Sequence, residues 1–224
     1  ARLEEVLVVM DGSIYNRAEL GRADTDASLL ASLYLKDGFA ETLRRLNGDF
    51  AIALYDSKRE TLWLARDRFG VKPLYYVADQ ERVAFASRPR ALLTLPGLSR
   101  DVNRLFVALF AASHYRTFDH DPAQSPYAAI AQLPAGSMLR VSRGAVTQSA
   151  YWSLQELPDF TEPEGQLAER YRALLLDAVA LRCQAAQRPV FTLSGGMDSS
   201  SVLALAVRAT DTTPAAISTV FPGT

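Results

Sequence analysis

An apolar run, Val190-Phe191-Thr192-Leu193, opens directly onto Ser194-Gly195-Gly196-Met197-Asp198, and Ser199-Ser200-Ser201 then heads a helix-patterned stretch. This order constrains the fold more than any other feature of the chain. A second apolar run follows at residues 215–221, so the segment reads as strand, loop, helix, strand, and such units are built into parallel sheets. Gly195 and Gly196 allow close backbone approach, and the unpaired N–H groups at the helix start sit at the positive end of its dipole. Both properties favour a phosphate. An acid in such a cradle would repel the ligand, and a Mg²⁺ ion shared between Asp198 and phosphate oxygens removes the conflict. The spacing is not G-x-x-x-x-G-K-[ST], and no Lys follows. A plainer reading also fits, in which Asp198 or Ser199 is only an N-cap.

Upstream, the period changes. The run Val6-Leu7-Val8-Val9-Met10 predicts a strand leading into a turn at Asp11-Gly12-Ser13. Thr25 or Asp26 is placed to cap a helix whose Leu29, Leu30, Leu33 and Tyr34 share one face, with Gly38 as its stop. Between residues 49 and 76, short β-rich runs alternate with turns, which predicts an antiparallel meander. A helix is expected over 102–112, and a further hairpin pairs 138–141 with 146–152. A Pro-rich acidic stretch at residues 159–165 suggests a linker between a domain over 1–158 and the start of another over 166–224. The second opens with a long amphipathic helix, about 163–186, capped by Thr161.

Composition narrows the partners. The 24 basic and 25 acidic side chains nearly cancel, and no Lys/Arg run stands out, so the electrostatic footprint of a nucleic-acid binder is missing. Cys183 is the single cysteine, which excludes an intrachain disulfide and a cysteine-based zinc site and suggests a cytoplasmic protein. No apolar run approaches the ~18 residues of a membrane helix.

The segment Ser194-Gly195-Gly196-Met197-Asp198-Ser199-Ser200 after an apolar strand resembles the pyrophosphate-binding loop of the PP-loop ATPases. Together with the upstream motifs, the chain resembles the asparagine synthetase family. Those motifs are Asp11-Gly12-Ser13-Ile14-Tyr15-Asn16, Thr25-Asp26, Leu46-Asn47-Gly48-Asp49-Phe50-Ala51, residues 65–76 from Ala65-Arg66-Asp67-Arg68 to Tyr75-Tyr76, Leu133-Pro134-Ala135-Gly136 and Tyr151-Trp152. The resemblance implies an α+β amino-terminal domain of the glutaminase-like Ntn-hydrolase sandwich type (αββα), followed by the start of an α/β parallel-sheet PP-loop ATPase domain. Arg66 and Asp67 are expected to form a buried ion pair.

By the same resemblance, ATP adenylates a substrate carboxylate, pyrophosphate leaves, and an amine attacks the acyl-adenylate to give an amide. Ser194, Gly195, Gly196, Ser199 and Ser200 would hold the pyrophosphate end, and Asp198 would bind Mg²⁺. Leu193, Thr219 and Val220 would lie near the adenine, at the strand ends where parallel α/β sheets bind ligands.

The glutaminase half departs from the family pattern. Where glutamine-dependent members begin with a nucleophilic Cys, position 1 is Ala1. Asp11 stands where the pattern has an Asn that donates to the oxyanion, and a carboxylate cannot donate; one such donor is worth ~2.7–4 kcal/mol. Ser13 stands where a Glu would bind the glutamine amine. Asp26 matches the pattern, with a helix N-cap as the alternative. A degenerate pocket at Asp11, Gly12, Ser13 and Asp26 is therefore expected, and with it a glutamine-independent relative. Such an enzyme would be a lasso-peptide cyclase or a β-lactam synthetase, with the attacking amine on the substrate. Ser199-Ser200-Ser201 and Phe221-Pro222-Gly223 lean toward the cyclase. That reading implies a peptide substrate carrying both carboxylate and amine, and leader-peptide-processing partner proteins. Glutamine-dependent asparagine synthesis is the alternative, with the Cys preceding the sequence shown. Two parallel strands with open edges are too few for a stable sheet, so further chain is expected, with catalytic residues beyond Thr224.

Overall fold

The computed structural model describes residues 1–79, 82–113, 121–156, 158–186, 188–210 and 213–220. The chain divides into two compact units, Ala1–Leu154 and Gln155–Thr224.

The first unit is built around β3 (Gly48–Asp56), whose sequence alternates large and small apolar residues. Phe50, Ile52 and Leu54 point to one face and Ala51 and Ala53 to the other, and all five are buried. The strand lies inside a six-stranded sheet of order β1-β2-β3-β4-β8-β9, formed by β1 (Arg2–Leu3), β2 (Val6–Ile14), β4 (Thr61–Arg66), β8 (Ser137–Ser142) and β9 (Ala145–Ala150). Every pairing in it is antiparallel.

On the Phe50 face lie α2 (Asp26–Asp37) and α3 (Phe39–Arg45). Leu29, Leu30, Leu33, Phe39 and Leu43 pack there with Val6, Val8, Ile52 and Leu54, each full burial contributing about 1.5–3 kcal/mol. Thr25 caps α2, its Oγ1 accepting from the Ser28 N–H at 3.1 Å. Gly38, at φ +79, ends the helix by donating to the Tyr34 carbonyl.

The opposite face buries Ala51, Ala53, Leu64 and Leu139 with Leu74 and Leu133. These last two flank a second sheet of order β6-β5-β7, made of β5 (Tyr75–Ala78), β6 (Val83–Ala86) and β7 (Ala131–Gln132). Beyond it, Val77 and Ile130 pack on Leu92 of α4 (Pro89–Leu92). The antiparallel α+β layers thus run helix, sheet, sheet, helix. Two short helices complete the unit, α1 (Arg17–Leu20) and α5 (Arg104–Ser113), the latter starting two residues later than its apolar pattern predicts.

Three local expectations are corrected. Asp11-Gly12-Ser13 is not a turn, because β2 runs unbroken through it with Asp11 opposite Ala51, Gly12 opposite Phe50 and Ser13 opposite Asp49. Gly12 marks a close approach instead: at φ +130, a Cβ there would overlap the Asp49 carbonyl oxygen. Arg66 and Asp67 form no ion pair with each other. The Arg66 guanidinium donates to the carbonyls of Lys72, Leu133 and Gly70, while the Asp67 carboxylate accepts from the N–H groups of Phe50, Phe69, Val71 and Lys72. Backbone groups from the surrounding loops satisfy each charge separately, and burial lowers the Arg66 pKa from its ordinary value.

The third correction falls in the second unit. Its long helix, α6 (Glu164–Ala185), starts after Pro163 with no side-chain cap, so Thr161 does not serve. Proline's fixed φ is already suited to a helix start. Val179 and the free thiol of Cys183 pack with Leu205 and Ala206 of α7 (Met197–Ala209). β10 (Val190–Thr192) and β11 (Ala215–Ile217) pair in parallel, Val190 opposite Ala215 and Thr192 opposite Ile217. Among the described residues, no helix is long and apolar enough to cross a membrane.

Candidate functional site

Parallel pairing puts the carboxyl ends of β10 and β11 side by side, and the candidate loop leaves from that edge. The Leu193 N–H donates to the Ile217 carbonyl at 2.9 Å, and its own carbonyl accepts from Ser218 Oγ at 2.8 Å. Thr219 and Val220 continue exposed from the neighbouring strand end. Leu193, Thr219 and Val220 are therefore at adjacent strand termini, the position at which open parallel sheets take ligands. Ser218, at the same strand end as Thr219 and Val220, ties the two strand ends together.

The turn between β10 and α7 is held from within. The Ser194 N–H donates to Ser199 Oγ at 3.3 Å, the two hydroxyl oxygens lie 3.1 Å apart, and the Gly196 N–H approaches Ser194 Oγ at 3.4 Å. Gly195 takes φ +83, a conformation that side chains disfavour, with open space where a Cβ would stand. α7 begins at Met197, two residues before the expected start, so Asp198 lies in its first turn. Ser200 N–H closes the first helical bond, to the Gly196 carbonyl. The N–H groups of Met197, Asp198 and Ser199 precede that ladder and have no intrahelical acceptor.

The loop thus offers first-turn N–H donors, the hydroxyls of Ser194, Ser199 and Ser200, and the exposed carboxylate of Asp198. This donor set fits a phosphate group bridged to the protein by Mg²⁺, which binds through one or two carboxylates plus phosphate oxygens. Among the described residues, no group of three or more His, Cys, Asp or Glu could hold a metal by protein ligands alone. Phe221-Pro222-Gly223 lies outside the described residues.

The residues of the expected degenerate pocket lie around β2. Asp11 Oδ1 forms an ion pair with Lys72 Nζ at 3.0 Å, both groups partly exposed. Gly12 and Ser13 face the ladder partners Phe50 and Asp49. Asp26 is not the N-cap, a role Thr25 fills. Its Oδ2 accepts from the Ile14 N–H at 2.8 Å and its Oδ1 pairs with Arg17 Nε at 3.1 Å, so it fixes the end of β2. Lys72 and Arg17 were not picked out by sequence. Lys72 is 61 residues from Asp11 along the chain, and no local pattern announces such a partner.

Family models match the two parts of the chain separately, and curated relatives span both. The family model for a glutamine amidotransferase domain matches residues 1–152, and that for asparagine synthase matches residues 170–224. A putative asparagine synthetase [glutamine-hydrolyzing] 2 of Methanocaldococcus jannaschii is 28% identical over 218 residues, covering 92% of this chain and 41% of that protein. Asparagine synthetase [glutamine-hydrolyzing] 2 of Bacillus subtilis is 29% identical over 223 residues, covering 92% of this chain and 30% of that one. The chain thus spans less than half the length of these curated relatives. A solved glutamine phosphoribosylpyrophosphate amidotransferase from B. subtilis, complexed with ADP and GMP, aligns at 17% identity and TM-score 0.44, covering 91% of this chain and 44% of that one.

Proposed function

We propose, from the premise that this chain belongs to the glutamine amidotransferase domain family, that it is part of an ATP-dependent ligase that forms an amide from a carboxylate and an amine. The observation that carries this reading is the loop between β10 and α7, within the stretch matched by the asparagine synthase model. In this reading the substrate carboxylate attacks the α-phosphorus of ATP and pyrophosphate leaves. The amine nitrogen then attacks the acyl carbon, AMP departs and the amine gives up a proton.

The chain's own residues hold the departing end. First-turn N–H groups of α7 and the hydroxyls of Ser194, Ser199 and Ser200 bind phosphate oxygens, and Gly195 and Gly196 let the backbone come close. Leu193, Thr219 and Val220 line the adenine side at the strand ends. Asp198 would hold a Mg²⁺ ion, which supplies neutralisation of charge developing on the pyrophosphate.

The amine is proposed to come from the substrate rather than from glutamine, as in lasso-peptide cyclases. The Asp11–Lys72 ion pair supports this: a carboxylate engaged by an ammonium group stands where an oxyanion donor would be needed, and Ser13 carries no charge to meet a glutamine amine. A peptide with its own amine and carboxylate would then be the substrate, with leader-processing proteins as partners and the cytoplasm as the setting. The names of the relatives favour a second reading, glutamine-dependent asparagine synthesis.

Both readings share one test. Labelled pyrophosphate should exchange into ATP in a Mg²⁺-dependent manner when the carboxylate substrate is present, and Asp198→Ala should abolish exchange. Unchanged exchange in that variant would remove the metal role. Glutaminase activity in the full-length protein would decide for the second reading.

A further inference from the structure

At the far end of the large sheet, two hairpin tips enclose a concavity of about 660 Å³ lined by Lys58, Arg59, Thr61, Arg140, Ser142 and Arg143. It belongs to the first unit and shares no residue with the loop at Ser194. Four cationic side chains converge there. Their sequence positions explain how: Lys58 and Arg59 lie in the β3–β4 turn, Arg140 and Ser142 lie two apart on one face of β8, and Arg143 is at the β8–β9 turn. β4 pairs with β8 so that Thr61 stands opposite Ser142 and Trp63 opposite Arg140.

The cluster is organised rather than loose. The Arg140 guanidinium stacks 5.6 Å from the Trp63 ring centre, which limits its freedom and leaves its N–H edge for a ligand. Arg59 is held by Asp56, the guanidinium at 2.6 Å from Oδ2 and the backbone N–H at 2.9 Å from Oδ1. Thr61, buried to 3% exposure, donates to the Arg59 carbonyl and lies 3.1 Å from Ser142 Oγ, so a hydroxyl pair forms the floor. Arg143 takes φ +51 and Gly144 φ +78. Positive φ at both centres is the demand of a tight hairpin turn normally met by Asn-Gly or Asp-Gly. An arginine in the first place costs backbone energy and adds like charge to the cluster.

Carboxylates do not neutralise the cavity. Among the described residues, Lys58, Arg140 and Arg143 enter no ion pair, and Asp56, which engages Arg59, is buried and shared with Tyr34. Glu60, in the same turn as Lys58 and Arg59, is exposed and does not line the concavity. Guanidinium forks around a concave floor that carries the Ser142 hydroxyl match the tetrahedral oxygens of phosphate.

We propose that this cavity binds a small phosphate-bearing anion, at a site separate from the loop at Ser194. Two sources share that chemistry, an inorganic polyphosphate and a nucleoside phosphate.

Trp63 reports on the site directly, and the chain has only one other tryptophan, Trp152, so two indole N–H resonances suffice. Inorganic pyrophosphate, added to the whole chain, should shift the Trp63 resonance saturably. The double variant Arg140→Ala/Arg143→Ala should weaken the midpoint at least tenfold with circular dichroism unchanged. Since arginine removal also alters the ring's surroundings, Lys58→Ala, which keeps the Arg140 guanidinium over the Trp63 ring, should weaken it several-fold. Asp198→Ala should leave the Trp63 response intact, which separates this site from the proposed catalytic loop. A nucleoside diphosphate that competes more tightly than pyrophosphate would assign the nucleoside source, and the reverse order the inorganic one. The proposal fails if Trp63 does not respond at millimolar pyrophosphate, if sodium chloride of equal ionic strength gives the same shift, or if Lys58→Ala leaves the midpoint where it was.

Discussion

The Tyr34 hydroxyl donates to Asp56 Oδ2 at 2.7 Å, tying the last turn of α2 to the end of β3 inside the core. Burial by itself would raise the Asp56 carboxyl pKa, but hydrogen bonds from Tyr34 and from the Arg59 side chain and backbone overcome it and hold it below the ordinary carboxylate value. A depressed folded pKa contributes stability that is present above the unfolded value, ~4, and is lost as pH falls through the lower folded one. Asp56→Asn should therefore destabilise the first unit by about 1–3 kcal/mol at neutral pH. The gap to the parent should narrow below pH ~4. Urea unfolding at pH 7 and at pH 3 measures it, and a pH-independent gap would refute the assignment.

Gly12 and Gly144 both have positive φ, yet only Gly12 stands against backbone: a methyl group there would run into the Asp49 carbonyl, whereas nothing lies within 4 Å of one at Gly144. Gly144→Ala should cost about 1 kcal/mol, the strain of the conformation alone. Gly12→Ala should cost at least about 3 kcal/mol or prevent folding, since strands β2 and β3 must part to admit the methyl group. Equal melting temperatures for the two variants would contradict the close approach.

Arg66 spends its guanidinium on three carbonyls, Gly70 and Lys72 of the β4–β5 loop and Leu133 just after β7. Lysine keeps the charge but cannot span them, so Arg66→Lys should destabilise by about 2–4 kcal/mol, little better than Arg66→Met. If lysine restored parental stability in chemical denaturation, charge rather than geometry would be what the site requires.

Ser199 Oγ receives the Ser194 N–H and touches the Ser194 hydroxyl, which sets the shape of the loop. Ser199→Ala should weaken binding of ATP with Mg²⁺ by roughly tenfold, the worth of about one hydrogen bond, without changing helix content. Calorimetric titration of both proteins tests this, and undiminished affinity would exclude Ser199 from the cradle.

Sequence periodicity gave good access to whatever is local. The alternation through Phe50-Ala51-Ile52-Ala53-Leu54 marks a strand buried on both faces, Thr25 and Gly38 bracket α2, and the order of strand, glycine turn and helix around Ser194 marks the parallel unit. What it missed was decided at a distance. Asp11-Gly12-Ser13 carries a turn composition, but nine consecutive pairings with β3 keep it extended. Arg66 and Asp67 are adjacent and oppositely charged, and still bond to loops brought in by Gly70, Lys72 and Leu133. Asp26 has the composition of an N-cap, yet its carboxylate turns back to Ile14 and Arg17. In each case a group brought in by the fold, whether a few residues away like the Gly70 carbonyl or 67 away like that of Leu133, outcompeted the neighbour that local reasoning would choose.

β3 has one further consequence, for motion. Its odd and even residues belong to two different hydrophobic clusters, so freeing this one strand opens both clusters at once. The two cores are mechanically in series through a single backbone. Amide protons of residues 50–54 should then exchange only through global unfolding of the first unit.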